Sequence, residues 1–342
     1  MEMQRVWAVY FSGTGTTEKV VTRMAKIAAE DLGAEYKTFC FNLPQSREGE
    51  LAFGTPVYAG RVPNLLLPYI RDKVKGNGAL AVPVSLFGNR NFDDGLIELR
   101  NVLEADGFHT VAGGAFVGEH SFSRTLGAGR PDAQDMALVE ELAHKTAEKV
   151  KGLERAPEIP AYVAGCDPIR PYYTPRDRHG EPIKDFLKAK PVTDSDKCVK
   201  CGLCARLCPM AAIDPNDVSS VVGKCIKCCA CVKKCPKGAK YFDHEGYLYH
   251  QHELEELYAR RTARSLLRCD DSRGEQKSAM LDKCVSHAAQ PAKKASQSLT
   301  CAGTKNQVYS ESDSTTFSTN QGRRSNAPPA FLRDTRIKRN NP

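Results

Sequence analysis

Apolar residues come in five short runs over the first half of the chain, at 6–11 (VWAVYF), 36–41, 51–58 (LAFGTPVY), 79–87 (ALAVPVSLF) and 111–117. Each run has the length of a strand. Between them, mixed apolar and charged stretches with helical spacing lie at about 17–31, 64–75, 93–105 and 132–150. This alternation predicts a doubly wound α/β domain with a mostly parallel sheet over residues 1–152. The pattern then breaks. Residues 153–191 are rich in proline and turn formers and read as an extended linker, with Pro171, Tyr172, Tyr173 and Pro175 packed on a domain surface. Helical spacing returns in QHELEELYARRTARSLLR, residues 251–268, which predicts a C-terminal helix within 246–268. From Cys269 to Pro342, Ser, Thr, Asn, Gln and Lys dominate without periodicity, a composition that predicts a disordered tail.

A chain of 342 residues with 41% apolar positions is long enough for two domains. It begins MEMQRVWAVYFSG, running straight into the first strand with no basic start, apolar core or cleavage site of a signal peptide. No apolar run approaches the length of a membrane span. The net charge is +8, but the segment from Cys269 onward carries 12 Lys/Arg and 7 Asp/Glu, so most of the excess lies in the tail. Residues 192–243 hold a further local excess, 9 Lys/Arg against 5 Asp/Glu. Those cations either offset a bound anionic group or attract an acidic redox protein. No basic stripe interleaved with aromatics speaks for nucleic acid.

The fourteen cysteines change the picture most. Cys198, Cys201, Cys204 and Cys208 read C-x2-C-x2-C-x3-C with Pro209 next; Cys225, Cys228, Cys231 and Cys235 repeat the spacing with Pro236 next. Three thiolates on a tight turn reach three irons of one cube, and the C-P junction sends the fourth elsewhere. Zinc, the alternative for paired C-x2-C motifs, gains nothing from four cysteines in a row followed by proline. The spacing resembles the bacterial ferredoxin run, in which the fourth cysteine of each set ligates the other cluster. That resemblance implies a small α+β ferredoxin-like domain over 192–245 with two [4Fe-4S] clusters. One would take Cys198, Cys201, Cys204 and Cys235, the other Cys225, Cys228, Cys231 and Cys208. Cys229 stands off register and reads as a bystander; Cys269, Cys284 and Cys301 are spaced too widely for a local ligand set. Thiolate ligation of iron points to a reducing compartment and hence the cytoplasm.

The first strand ends in Ser12-Gly13-Thr14-Gly15-Thr16-Thr17 and leads into a helix, an arrangement that makes an anion site. It lacks the Gly-Lys-Ser/Thr end of a Walker loop, and Glu18 stands where a Rossmann fingerprint needs its third glycine. What remains is a cradle of hydroxyls and backbone donors suited to a monophosphate such as that of FMN. Asp93 and Asp94 read as caps of the helix over 93–105.

The loop is similar to the flavodoxin phosphate signature, met by Ser12, Thr14, Gly15 and Thr17. With the cysteine repeat, the chain resembles the flavodoxin–ferredoxin fusion proteins of anaerobic bacteria and archaea, over roughly residues 5–245. A member of that family would end near residue 265. The resemblance implies a flavodoxin-like sheet of order 2-1-3-4-5. It implies FMN held at its phosphate by Ser12, Thr14, Gly15, Thr16 and Thr17. Thr55, Pro56, Tyr58, Ala59 and Gly60 would line one side of the ring, with Tyr58 stacked on it. Gly88, Asn89, Arg90 and Asn91 would line the other, Arg90 favouring the anionic reduced flavin. The loop Gly118–Ser123 would close over the pocket, and His120 is given no role. The function implied is low-potential electron transfer between FMN and the two clusters, with another protein as redox partner, since no NAD(P) domain is visible. The alternative is a flavin-dependent reductase of a quinone, a nitro compound or dioxygen.

Overall fold

The computed structural model describes residues 3–40, 51–262 and 266–268. Residues Met1–Ala289 fall in one compact unit; the other, Gln290–Pro342, lies wholly outside the described residues, as does the segment expected to be a disordered tail.

The first half alternates strand and helix as the apolar runs predict: β1 (Arg5–Tyr10), α1 (Thr16–Leu32), β2 (Glu35–Cys40), β3 (Leu51–Pro56), α2 (Leu67–Lys73), β4 (Leu80–Phe87), α3 (Gly95–Ala105), a two-residue β5 (His109–Thr110), β6 (Gly113–Val117) and α4 (Ala133–Lys151). The main strands pair in parallel in the order β2-β1-β3-β4-β6, which is the flavodoxin-like order 2-1-3-4-5. Both sheet faces are covered. Val6, Ala8 and Tyr10 of β1 face α1 and α4, while Trp7 and Val9 face the side of α2 and α3, so each strand reads as a continuous apolar run. Pro83 sits inside the central strand β4 without cost, because the neighbouring strand is interrupted there between Thr110 and Gly113.

The second half is built differently. After a short 3-10 turn at Phe186–Lys188, β7 (Val192–Thr193) and β8 (Lys240–Tyr241) pair antiparallel and enclose two single-turn helices, α5 (Leu203–Arg206) and α6 (Ala230–Lys233). The two halves of this module match position for position. Lys200 and Lys227 both have positive φ, as do Gly202 and Cys229, and Ala211 and Gly238. The duplication in the cysteine spacing is thus a duplication of backbone conformation.

The C-terminal helix is shorter than its sequence pattern predicts. α7 spans Glu245–Leu257, and β9 (Leu266–Arg268) then adds an antiparallel strand to the β6 edge of the main sheet. The cause lies in loop 88–91. The Asn89 side chain donates to the carbonyls of Tyr258 (2.7 Å) and Arg260 (2.9 Å) and accepts from the N–H of Thr262 (3.2 Å). Arg130 donates to the Thr262 carbonyl (2.9 Å) and forms a buried ion pair with Asp135. These bonds hold 258–262 as an irregular segment, where helical spacing alone would have continued the helix.

The linker is also pinned. Asp94 stands at the N-cap of α3 but its side chain makes no capping bond, a correction to the sequence reading. It holds Arg170 through both guanidinium arms (2.8 Å each) and accepts from the N–H of Cys166 and Arg170 (2.9 Å each). Burial alone would raise the Asp94 carboxyl; these donors outweigh it and hold it below its ordinary value. Arg61 stacks over Tyr172 at 4.4 Å and Arg90 over Tyr173 at 4.9 Å. Asn89→Ala strips partners from two carbonyls and one N–H at once, and each hydrogen bond lost at this part-buried site costs about 0.5–1.5 kcal/mol. We expect Thr262 to lose hydrogen-exchange protection while the N–H groups of α1 keep theirs.

Candidate functional site

The carboxyl ends of the parallel strands carry the loops after β1, β3, β4 and β6, and these loops meet around one cavity with an empty volume of about 420 Å3. Gly13, Thr14, Thr16 and Thr17 form one wall, Pro56, Val57 and Tyr58 a second, Phe87 and Gly88 a third, and Gly118, Glu119, His120 and Ser121 the last. Ser12 is buried behind the first wall, its hydroxyl accepting from the N–H of Gly15 and Glu18 (3.2 Å each). This leaves the N–H groups of Thr16 and Thr17, in the first turn of α1, for an anion in the cavity.

Of the residues expected to hold FMN, the structure brings Thr14, Thr16, Thr17, Pro56, Tyr58 and Gly88 to the cavity wall. Ser12 and Gly15 support that wall from behind. Thr55 is fully buried, its hydroxyl beside the Ser85 strand position, and both hydroxyls lack a hydrogen-bond partner in the structure. Ala59 gives its carbonyl to the N–H of Tyr173 (2.8 Å), and Gly60 gives its own to the N–H of Asp94 (2.9 Å). Asn89 is committed to the C-terminal segment, Arg90 to Asp93 and Tyr173, and Asn91 to the N–H of Asp93. The expected right-hand wall of Asn89, Arg90 and Asn91 is thus tied into the protein, and Glu119, His120 and Ser121 stand at the cavity instead. Their signal in the sequence was position alone, a loop directly after a parallel strand. His120 Nδ1 accepts from the Phe122 N–H (3.2 Å), which leaves the ring proton on Nε2. Burial, with the charges of His250, Lys233 and Arg90, holds its pKa down at about 3, so the imidazole is neutral.

The thiols gather in two further cavities. Cys198, Cys201, Cys204 and Cys235 line one with an empty volume of about 420 Å3, which the Cys231 residue also borders. Cys208, Cys225, Cys228 and Cys231 line another of about 370 Å3, together with Cys229. Each cavity therefore draws its fourth thiol from the other run. Backbone N–H groups reach the sulfurs, at matching places for Ala212 to Cys208 and Ala239 to Cys235 (3.3 Å each), and in the second run also for Lys227 to Cys225 (3.4 Å). A thiolate ligand needs such donors, so the residues present fit an iron–sulfur cube in each cavity. Cys229 takes the left-handed position that Gly202 holds in the first run (φ 58° and 71°) and turns its sulfur to the Tyr247 hydroxyl at 3.3 Å.

The second thiol cavity and the loop cavity are neighbours. A Cβ on Gly13 would lie 2.9 Å from the Cβ of Cys228 and 3.1 Å from its carbonyl. Lys233 of α6 reaches across to the carboxylate of Glu119 and the carbonyl of Ser123. Phe122, from the same loop, packs against Tyr247 (4.8 Å between centroids), which stacks on Phe242 (4.0 Å). Burial, with the Cys228, Cys229 and Cys225 thiols nearby, pushes the Tyr58 hydroxyl well above its ordinary pKa.

A 4Fe-4S dicluster domain description matches residues 190–236. None of the curated proteins matches the chain. Among solved structures, a flavodoxin from the domain Archaea is similar at 13% identity, covering 43% of this chain and 99% of its own (TM-score 0.35). A Streptococcus pneumonia TIGR4 flavodoxin is 18% identical over 42% of this chain and 99% of its own (TM-score 0.32). The rubredoxin oxygen:oxidoreductase of the anaerobe Desulfovibrio gigas is 19% identical over 44% of this chain and 37% of its own (TM-score 0.33). The chain joins a flavodoxin-like domain, assigned by its strand order, to a 4Fe-4S dicluster domain. Among the described residues no helix is long and apolar enough to cross a membrane.

Two outcomes follow. Gly13→Ala forces a methyl group against Cys228, so hydrogen exchange should rise across 225–231 and in loop 118–123, with the β1–α1 core unchanged. His250 is 5% exposed, its Nδ1 makes no hydrogen bond and lies 3.6 Å from the Glu253 carboxylate, and burial, then the Arg90 charge, lowers its pKa to about 4. Below its ordinary value near 6.5 the unfolded chain takes up a proton that the folded chain refuses, so stability falls as pH drops from about 6.5 to about 4 and is flat above. Urea unfolding of the wild type should lose up to about 1.4 kcal/mol per pH unit more than His250→Phe in that window.

Proposed function

We propose that the protein is an iron–sulfur flavoprotein that passes electrons between FMN in the loop cavity and two [4Fe-4S] clusters in the thiol cavities. The observation that carries this reading is the packing of Gly13, at the edge of the hydroxyl loop, against Cys228. It brings the loop cavity beside one thiol cavity, while Cys231 and Lys234 border the other. FMN would supply paired electrons, and each cluster would pass them singly. The chain's part is to bind, orient and keep water out.

Thr14, Thr16 and Thr17, with the first N–H groups of α1, would hold the FMN phosphate through neutral donors. Tyr58 and the chain at Phe87–Gly88 would flank the ring, and the neutral His120 would offer a donor from the fourth wall. Glu119 is neutralised by Lys233, so the wall it belongs to carries little net charge into the cavity. The clusters would be held by Cys198, Cys201, Cys204 and Cys235 and by Cys208, Cys225, Cys228 and Cys231, an arrangement that needs the reducing conditions of a cytoplasm. Steady turnover of a quinone, nitro compound or dioxygen that outpaces exchange with a protein acceptor would favour the reductase reading instead.

Anaerobic purification with iron, sulfide and flavin counted per chain tests the proposal. It predicts about eight irons, about eight sulfides and one FMN, given two cubes and one phosphate loop. Absence of both iron–sulfur and flavin absorption after reconstitution removes it.

A further inference from the structure

The two thiol cavities differ in the exposure of the residues that line them. The one built by Cys208, Cys225, Cys228 and Cys231 is turned inward: Cys228 is only 7% exposed, Cys229 and Ala230 are buried beside it, and Gly13 closes on it from the loop cavity. The one built by Cys198, Cys201, Cys204 and Cys235 is turned outward, with Cys201 exposed and Val199 60% exposed on its rim. Lys234 and Lys237 line that outer cavity, and Lys200 and Arg206 flank Cys201, Arg206 donating to the Cys201 carbonyl at 3.0 Å. All four are exposed, and among the described residues none of them is in an ion pair. Of the neighbouring cations, Lys197 is matched by Asp194 at 2.6 Å and Lys233 by Glu119 across the inner interface, while the buried Lys240 donates to the Val218 carbonyl. Of the nearby acids, Asp194 is engaged by Lys197, and Asp217 accepts from Ser219 and lies close enough to Lys200 for that charge to help lower its pKa. The rim therefore presents four exposed cations, none in an ion pair among the described residues, around a small apolar centre.

We propose that this outer face is the port at which a separate, acidic redox protein docks. Val199 and the Cys201 loop form the contact, and Lys200, Arg206, Lys234 and Lys237 form the charged rim. The inference rests on the electron-transfer reading above and adds to it an order: loop cavity, inner thiol set, outer thiol set, partner. One electron crosses per encounter, lost on one side and gained on the other, with no proton moved. A small interface of this kind suits a transient redox encounter, and the rim charges act mainly on the rate of encounter at low salt.

The test uses the intact cluster-loaded protein and a small acidic [2Fe-2S] ferredoxin as probe. Anaerobic binding and the second-order rate of electron exchange are both measured against ionic strength. K200E/K237E is compared with K26E/K151E, which makes the same change in net charge on α1 and α4. We expect K200E/K237E to weaken low-salt binding and slow exchange by about tenfold or more and to flatten the salt dependence, with K26E/K151E within about twofold of wild type. K234E/K237E is a second, independent pair should K200E/K237E load iron poorly. Equal losses in both sets of variants overturn the port, as does a DNA oligonucleotide that binds this face while the ferredoxin does not. A protein that loads no clusters or flavin fails the electron-transfer reading itself; one that loads both but ignores the rim charges fails only the port.

Discussion

Everything about the arrangement of this molecule depends on how closely Gly13 and Cys228 approach. Any side chain at position 13 would occupy space already held by the Cβ and carbonyl of Cys228. A hydroxyl-rich loop and a thiol-bearing loop, each common enough alone, share one boundary because the residue between them has no side chain. Protein interiors give way poorly to even one added methyl group. The contact therefore sets where the ferredoxin-like module rests, and the module in turn sets which thiol cavity faces inward. Around it the polar and aromatic contacts agree: Lys233 reaches Glu119 and Ser123, and Tyr247 joins Phe122 to Phe242.

Chain connections hold the module from both ends. Before it, Asp94 grips Arg170, and the next two tyrosines lie under Arg61 and Arg90. After it, Asn89 takes hold of 258–262 and β9 joins the sheet at β6. A loose tether would give only a raised local concentration. Here the linker lies against the flavodoxin-like surface for much of its length, so the module is positioned by contacts as well as by connection.

The parts of this structure legible in the sequence are those governed by local spacing. The parallel strands announce themselves as apolar runs because both faces are buried. The cysteine runs announce themselves because a cube demands thiols at fixed intervals on a turn. The hydroxyl loop was legible for a related reason, a strand end meeting a helix start. What was not legible depends on distant partners. Asp94 looks like a helix cap until Arg170 arrives from 76 positions later. Asn89 and Arg90 look like pocket residues until Tyr258, Thr262 and Tyr173 claim them. The stretch after Leu257 has helical spacing, yet tertiary hydrogen bonds pull it into an irregular segment, and a strand follows. Glu119 and His120 carry no motif; they reach the cavity because β6 ends beside it.

The central claim is that the loop cavity and the inner thiol cavity form one continuous route within a single chain. Flash photoreduction of the flavin in the fully loaded protein, followed by the bleaching of iron–sulfur absorption, tests it most directly. The account predicts a first-order transfer whose rate does not change with protein concentration. A transfer that speeds up in proportion to protein concentration, or fails to occur in protein carrying both cofactors, would contradict it.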